Sequence, residues 1–417
     1  MQWLVIGGGT AGCVVAARLA EVASNEVTLL EAGPDHGPDH VRTDVGLYLD
    51  DPTRWHDTCN VIRRAGGVAE HYWQGRGLGG SSLLNGPVTV ANPADAGIEH
   101  LMPMEPPVTL GPLGAAVVAA DPDARPVLLA RRGGRRVSAA DAYLRPRANW
   151  PNLTVVDNSA VAHLIMDGRS VCGAVTESGI EHRAERVVVC AGAIRTPTLL
   201  LASGVDTPGV GEGLQDHPAF AITLQLAPEV IDPTVPNIVV AIDRPGTQIL
   251  VMNHLPGAPG HGALIGALMT PTSVGRVTHD PVTGTSSVEL NQLATDTDVE
   301  RLVTLVLEML GLCSHPAVRV VAPLAMIDAR GTPAGSLNED RDAVRAWVLS
   351  HLTGYHHVAG TCRRGTVTDV WGAVRGYDGL YVGDASLFDG VPPINPYLSV
   401  VTLAEQLSAH WRDSTAT

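Results

Sequence analysis

The chain contains no lysine, so all 28 of its basic residues are arginine. That absence excludes a lysine Schiff base, a lysine general base and the lysine of a nucleotide P-loop. Aromatic residues make up only 4% of the chain, and an apolar pocket must therefore be built mainly from Leu, Val and Met with a few Trp and Tyr. The six cysteines, Cys13, Cys59, Cys172, Cys190, Cys313 and Cys362, are scattered without a CxxC pair. This reads as reduced thiols of a cytoplasmic protein rather than a disulfide framework. No His and Cys cluster has metal-ligand spacing, so no metal is expected. No apolar run reaches the roughly 18 residues of a membrane span, and no basic leader precedes the first apolar segment. A net charge of −15 argues against binding to nucleic acid or to anionic membrane.

What is present begins at once. With 417 residues the chain exceeds the roughly 250–300 residues at which a single core stops growing, so more than one domain is expected. Residues 2–6 read as a short buried strand and 11–20 as a helix with small residues on one side. Between them, Gly7, Gly9 and Gly12 stand in GxGxxG spacing with Thr10 and Ala11, and Glu31 ends a second strand at 27–30. Glycine permits a tight turn and close approach of a pyrophosphate, the helix N-terminus stabilises its charge, and the carboxylate accepts from a ribose hydroxyl. The motif alone does not choose between FAD and a nicotinamide.

Residues 34–70 look like an irregular surface excursion, and 92–134 a Pro- and Ala-rich stretch with little periodicity. Strands are expected at 153–156, 161–166 and 186–190, with a helix at 192–203. Period-two stretches at 221–226, 238–242, 248–253, 263–269 and 287–290 predict an antiparallel sheet. An amphipathic helix at 298–310, a strand at 380–382 and a terminal helix at 398–411 complete the expectation. The fold class is α/β: a Rossmann-like dinucleotide-binding domain interleaved with a substrate domain on the antiparallel sheet. The segments are 1–95, 133–218 and 356–417 for the first domain, 219–355 for the second, and 96–132 as an insertion.

Six ordered motifs carry a family resemblance. They are Gly77-Leu78-Gly79-Gly80-Ser81-Ser82 with Asn85-Gly86; Cys190-Ala191-Gly192-Ala193-Ile194-Arg195-Thr196-Pro197 with Ser203-Gly204-Val205; Val210-Gly211-Glu212-Gly213-Leu214-Gln215-Asp216-His217-Pro218; His357-Val358-Ala359-Gly360-Thr361 with Cys362-Arg363-Arg364-Gly365; Gly383-Asp384-Ala385-Ser386; and Asn395-Pro396. Together they resemble the glucose-methanol-choline (GMC) oxidoreductases, which bind FAD and oxidise alcohols. The resemblance implies that Gly7, Gly9, Gly12 and Glu31 hold the adenosine half and that Val161 meets the adenine through its backbone. It further implies that Arg76, Gly79, Ser82 and Asn85 line the flavin, with Asp384 and Ala385 at the pyrophosphate and ribityl chain. Some relatives attach the flavin through a histidine just before the equivalent of Asn85; here that residue is Leu84, so a noncovalent FAD is expected.

An alcohol carbon releases hydride as its hydroxyl proton leaves, which calls for a base and for a donor that stabilises developing alkoxide. His357 fits the family's His-x-x-Gly-Thr frame as the base, with His356 one residue early as the alternative. Asn395 matches the second position, and Asn also suits a helix N-cap there. Asp216-His217 reads as a structural turn beside the flavin. The expected partners are a small alcohol and an electron acceptor, which could be oxygen, a quinone or a redox protein. Two other classes remain open: a flavin-containing lyase of cyanohydrins, and a non-catalytic flavin-binding relative. The chain is short for the family, and 96–132 stands where relatives carry a longer helical cover. A more open pocket is the expectation.

Overall fold

The computed structural model describes residues 1–37, 55–90, 102–255, 257–337 and 340–413. A five-stranded parallel sheet organises the dinucleotide-binding part, in the spatial order Leu153–Val156, Glu26–Leu30, Gln2–Ile6, Arg186–Val189, Leu380–Val382. Its central strands are near-continuous apolar runs because helices and loops cover both faces. The Thr10–Leu19 helix lies against it, with Ala11, Gly12, Cys13, Ala16 and Ala17 all buried. Those small side chains let the C-terminal helix, Tyr397–Asp413, approach closely. The pair is fastened by Arg18, whose Nε and Nη2 donate to Glu405 Oε2 and Oε1 at 2.8 and 2.9 Å. Scarce aromatics are concentrated here: Trp3, Tyr381 and Trp411 form one cluster with ring centroids 5.5 to 6.1 Å apart.

The second sheet has seven strands and is antiparallel. Its order is Leu324–Met326, Pro218–Gln225, His261–Leu268, Thr247–Met252, Ile238–Arg244, Ala124–Pro126, with Thr353–Gly354 pairing beside Pro218–Gln225. Alternation divides its side chains between two layers. Ile249, Val251 and Leu264 face the long Asp296–Ser314 helix, while Leu250, Met252, Ala263 and Ile265 face the other way. A bulge between Ile238 and Val240 puts Val239 and Val240 together on the helix side and leaves Ile238 on the opposite one.

Three expectations need correction. The 34–70 stretch is not wholly irregular: Trp55–Ile62 and Ala69–Gly75 are strands of a third, five-stranded sheet with Glu212–Leu214, Gly275–Asp280 and Thr285–Glu289. Thr285–Glu289, whose period-two pattern suggested the substrate sheet, therefore belongs to that third sheet, and Gly275–Asp280 was not expected at all. The 92–134 stretch holds a Gly111–Ala120 helix, and Ala124–Pro126 is an edge strand of the seven-stranded sheet. Residues 96–132 are thus not a separate insertion where they are described, because hydrogen bonding to Ile238–Arg244 joins them to the substrate-side layer. Among the described residues, no helix is long and apolar enough to cross a membrane.

Candidate active site

A cavity of about 1200 Å³ runs between the parallel sheet and the seven-stranded sheet. At one end the first strand gives way to the glycine loop. Gly7 takes φ 99°, and a Cβ there would stand 2.6 Å from the Cys190 carbonyl oxygen, so no other residue fits without moving the neighbouring strand. A Cβ on Gly12 would run into the Gly7 carbonyl. At Gly9 a Cβ would meet no protein atom within 4 Å, because that position faces the cavity. The bare N-terminus of the Thr10–Leu19 helix, which has no side-chain cap, opens at the same place.

Glu31 lies beside it, buried, and its carboxylate accepts from three backbone N–H groups: Gly8 at 2.7 Å, Gly33 at 2.8 Å and Gly77 at 3.1 Å. Burial raises its pKa, and those three donors oppose the rise. The same contacts tie the first glycine loop to the second, and Gly79 N donates to Gly8 O at 2.7 Å. Asp384 occupies the start of the Gly192–Ala202 helix, with Oδ2 accepting from Gly192 N at 2.8 Å and Thr196 Oγ1 at 2.5 Å, and Oδ1 from Ser386 N at 2.8 Å. This second helix N-terminus is already satisfied by a carboxylate. The Thr10–Leu19 helix is therefore the one that can receive a pyrophosphate.

The middle of the cavity is formed by the second glycine loop. Arg76 holds the Ala32 carbonyl at 3.1 Å. Ser82 spends its hydroxyl on Gly79 O at 2.6 Å and accepts from Ala139 N. Asn85 is fixed by buried Arg136, whose Nη1 donates to the side-chain Oδ1 and whose Nη2 donates to the backbone carbonyl, both at 2.6 Å. With its oxygen engaged, the Asn85 amide has its N–H groups left for the cavity.

At the far end stand His356, His357 and Asn395. His357 N donates to Asp216 Oδ1 at 2.7 Å, and its ring meets His217 with the two Nδ1 atoms 3.0 Å apart. Two neutral imidazoles at that distance share one proton. Nε2 of His217 is buried with no hydrogen-bond partner. One of the two Nδ1 atoms donates and the other accepts, according to the tautomers. In the arrangement with His217 as acceptor, His357 carries its proton on Nδ1 and its Nε2 bears a lone pair. Burial holds His357 well below the ordinary imidazole pKa, with the neighbouring histidines adding to it; His217 is lowered to about 4 by burial. Both are neutral near pH 7. Asp216 is pushed up to about 6 by burial, against hydrogen bonds from His357 N and Tyr72.

Asn395 does not cap the terminal helix: its Oδ1 is buried without a hydrogen-bond partner. The Tyr355 hydroxyl donates to Gln248 Oε1 at 3.0 Å, and the nearby Asn395 amide acts to lower its pKa against the rise caused by burial. His356 differs from His357. It has a left-handed backbone, φ 63°, and its ring packs on Tyr72 at 4.7 Å.

Of the sequence-derived positions, Gly7, Gly9, Thr10, Ala11, Glu31, Arg76, Ser82, Asn85, Val161, Asp384, Ala385, His357 and Asn395 line one cavity. Gly12 and Gly79 do not; they lie behind the loops, where they allow chain to approach chain. His217, Tyr355, Gln248 and Arg136 were not singled out from sequence as part of the site. Only His217 carried a local signal, and it read as a turn.

Two GMC oxidoreductase family models match residues 125–219 and 271–404, and a Rossmann-like NAD(P)-binding model matches residues 5–63. The chain belongs to the GMC oxidoreductase family. It is an oxidoreductase of CH–OH-type donors, and its cofactor is FAD. It is similar to an uncharacterised GMC-type oxidoreductase of Rhodococcus erythropolis at 29% identity, covering 98% of this chain and 97% of that one. That alignment runs over 504 positions, so the relative carries segments this chain lacks. Choline oxidase of Arthrobacter globiformis is 26% identical, with 97% and 93% covered. Pyridoxine 4-oxidase from Mesorbium loti superposes with a TM-score of 0.85 at 23% identity, with 99% of each chain covered, and shares the fold.

The cavity fits FAD. It offers an open helix N-terminus at Gly9 for the pyrophosphate, a buried carboxylate at Glu31 beside it, and a side-chain amide at Asn85 farther along. Among the described residues, none from 102–132 lines it.

Proposed function

We propose that the protein oxidises a CH–OH group of a small alcohol to a carbonyl, with His357 as the base. The observation that carries this reading is the paired histidine. His357 is neutral near pH 7 and lines the cavity, and with His217 accepting from its Nδ1–H it would present an unprotonated Nε2, the form that accepts a hydroxyl proton. FAD, when bound, would supply the acceptor for the hydride that leaves the carbinol carbon. The hydroxyl proton goes to His357 Nε2, and the charge that appears on the ring is spread through Nδ1–H to His217. Asn395, which lines the cavity near Tyr355, would present its amide to the hydroxyl and stabilise negative charge building on oxygen.

Gly7, Gly9, Thr10, Ala11, Glu31 and Val161 would hold the adenosine and pyrophosphate, and Arg76, Ser82, Asn85, Asp384 and Ala385 the flavin side. Gly12 and Gly79 would support them from behind. Leu84 lines the cavity without a nucleophile, which supports a noncovalent flavin. An open mouth over the site is supported by the shortness of this chain against the 504 positions of the alignment with its relative. The electron acceptor that completes the cycle would be oxygen, a quinone or a redox protein.

An anaerobic panel of alcohols, followed by the visible flavin spectrum, tests the proposal. Alcohol should bleach the flavin of the wild type, and His357→Ala should retain flavin but lose bleaching. Cleavage of a cyanohydrin with no bleaching by any alcohol would refute it in favour of a lyase.

A further inference from the structure

We infer that the substrate is an uncharged alcohol with an extended apolar body, lying along the seven-stranded sheet with its hydroxyl end at His357. The inference rests on the proposed role of His357 and Asn395 and adds the chemical class they act on.

The cavity wall opposite the glycine loops is aliphatic. Ile238, Leu250, Met252 and Ile265 all line it, and strand register sets them in a row: Ile238 opposite Met252, Leu250 opposite Ile265, Ile265 opposite Ala221. Four strands at roughly 4.8 Å spacing make this row about 14 Å wide, far longer than a one- or two-carbon alcohol. The row is continuous with the reacting end. Tyr355 packs against Leu250, Met252 and their neighbours on one side and places its ring edge-on to His357 at 4.6 Å on the other. The flavin-side loop touches it too, because a Cβ on Gly86 would stand 2.6 Å from Ile238 Cδ1.

Charge on the cavity is at the other end. Among the described residues, its acids and arginines are Glu31, Glu177, Asp384, Arg76 and Arg195, all on the dinucleotide side. The acid that acts on Tyr355 is Asp243, which is exposed, accepts from Gln248 Nε2 at 2.8 Å and is off the cavity wall. A quaternary ammonium pressed on this wall would lose its water without gaining a counter-charge, and the cavity's aromatic rings, Trp73, Phe220, Tyr355 and Tyr397, are dispersed rather than gathered into a cage, the last three belonging to three different hydrophobic clusters. A polyol would leave its hydroxyls unpaired against Ile and Leu. An alkyl or aryl body loses nothing of this kind.

The test uses the flavin-loaded protein and two readouts. Tertiary alcohols have no carbinol hydrogen, so they report binding alone, through perturbation of the flavin absorbance. Their affinity should rise roughly three- to fourfold per methylene along a four- to eight-carbon series, while choline and glucose bind at least a hundredfold more weakly. Leu250→Ala with Met252→Ala should flatten the series without loss of flavin. A length-independent series, or choline or glucose binding as well as the eight-carbon alcohol, overturns the inference. The second readout is anaerobic bleaching by the matching primary alcohols. A graded binding series without bleaching keeps the apolar site and refutes the redox reading. Bleaching by choline but not by 1-octanol keeps the redox reading and refutes the apolar class.

Discussion

Replacing His217 by Leu isolates the contribution of the histidine pair. The side chain is fully buried and its Nδ1 is 3.0 Å from that of His357, so Leu fills most of the space and removes the acceptor. His357 Nδ1–H then faces an apolar neighbour, and the ring is free to carry its proton on Nε2, where it cannot act as a base. A hydrogen bond to a group that becomes charged is worth about 1.5–3 kcal/mol, so the rate of flavin reduction by an alcohol should fall about 10- to 150-fold. Substrate affinity should be little changed, since His217 does not line the cavity. Anaerobic stopped-flow spectroscopy measures the rate. A folded, flavin-loaded variant that reduces within twofold of wild type refutes the tautomer argument.

The same variant has a second signature, in acid. His217 has a folded pKa of about 4 against an ordinary 6.5, so as pH falls through that window the unfolded chain takes a proton that the native one refuses. Native stability is lost over the interval, by about 3 kcal/mol in total. Asp216, pushed up to about 6 from 3.8, acts oppositely: its stabilisation is present below 3.8 and lost as pH rises through 6. The wild type therefore shows the sum of these opposed contributions together with those of His356 and His357, whose pKa values burial also lowers. Subtracting wild-type from His217→Leu stability cancels Asp216, and the variant should gain about 3 kcal/mol relative to wild type between pH 7 and pH 4. Denaturant titrations at the two pH values read this directly, and a constant difference would show that His217 is charged in the fold.

Other substitutions separate packing from ligand binding. Gly12→Ala drives a Cβ into the Gly7 carbonyl, so it should lower the melting temperature and abolish flavin binding. Gly9→Ala meets no protein atom within 4 Å and should fold with normal stability yet lose the dinucleotide; normal flavin content in Gly9→Ala refutes the pyrophosphate placement. Arg136→Met leaves the Asn85 carbonyls and Ser82 O without their shared donor, at a cost of about 3 kcal/mol if that loss falls on the loop. Flavin affinity by equilibrium dialysis should weaken about a hundredfold.

The parallel sheet and its glycine loop were legible because strand, turn and helix follow one another within thirty residues. His217 was not, because its partner lies 140 residues away, and a local Asp-His pair gives no hint of what faces it. Trp55–Ile62 pairs in parallel with Thr285–Glu289, a contact of the same non-local kind. The Gly111–Ala120 helix escaped for another reason. Its residues are nearly all small and apolar, so no polar face marks a period, although Leu113, Ala116 and Val117 are buried on one side. Residues 38–54 and 91–101, parts of the expected irregular and Pro-rich stretches, lie outside the described residues. Asn395 was found by its motif, but its neighbourhood with Tyr355 was not, since the two meet at the cavity only through the fold.

The alternation of the seven-stranded sheet bears on how such an enzyme diversifies. Positions 238, 250, 252 and 265 face the cavity, while 239, 249, 251 and 264, their immediate neighbours, belong to the core against the long helix. Selection acting on one parity of the strand can rewrite what the pocket accepts while the other parity keeps the protein folded. A library confined to the four cavity-facing positions would therefore search substrate space on an unchanged scaffold, and the bulge at Ile238 marks where that bookkeeping of odd and even shifts by one.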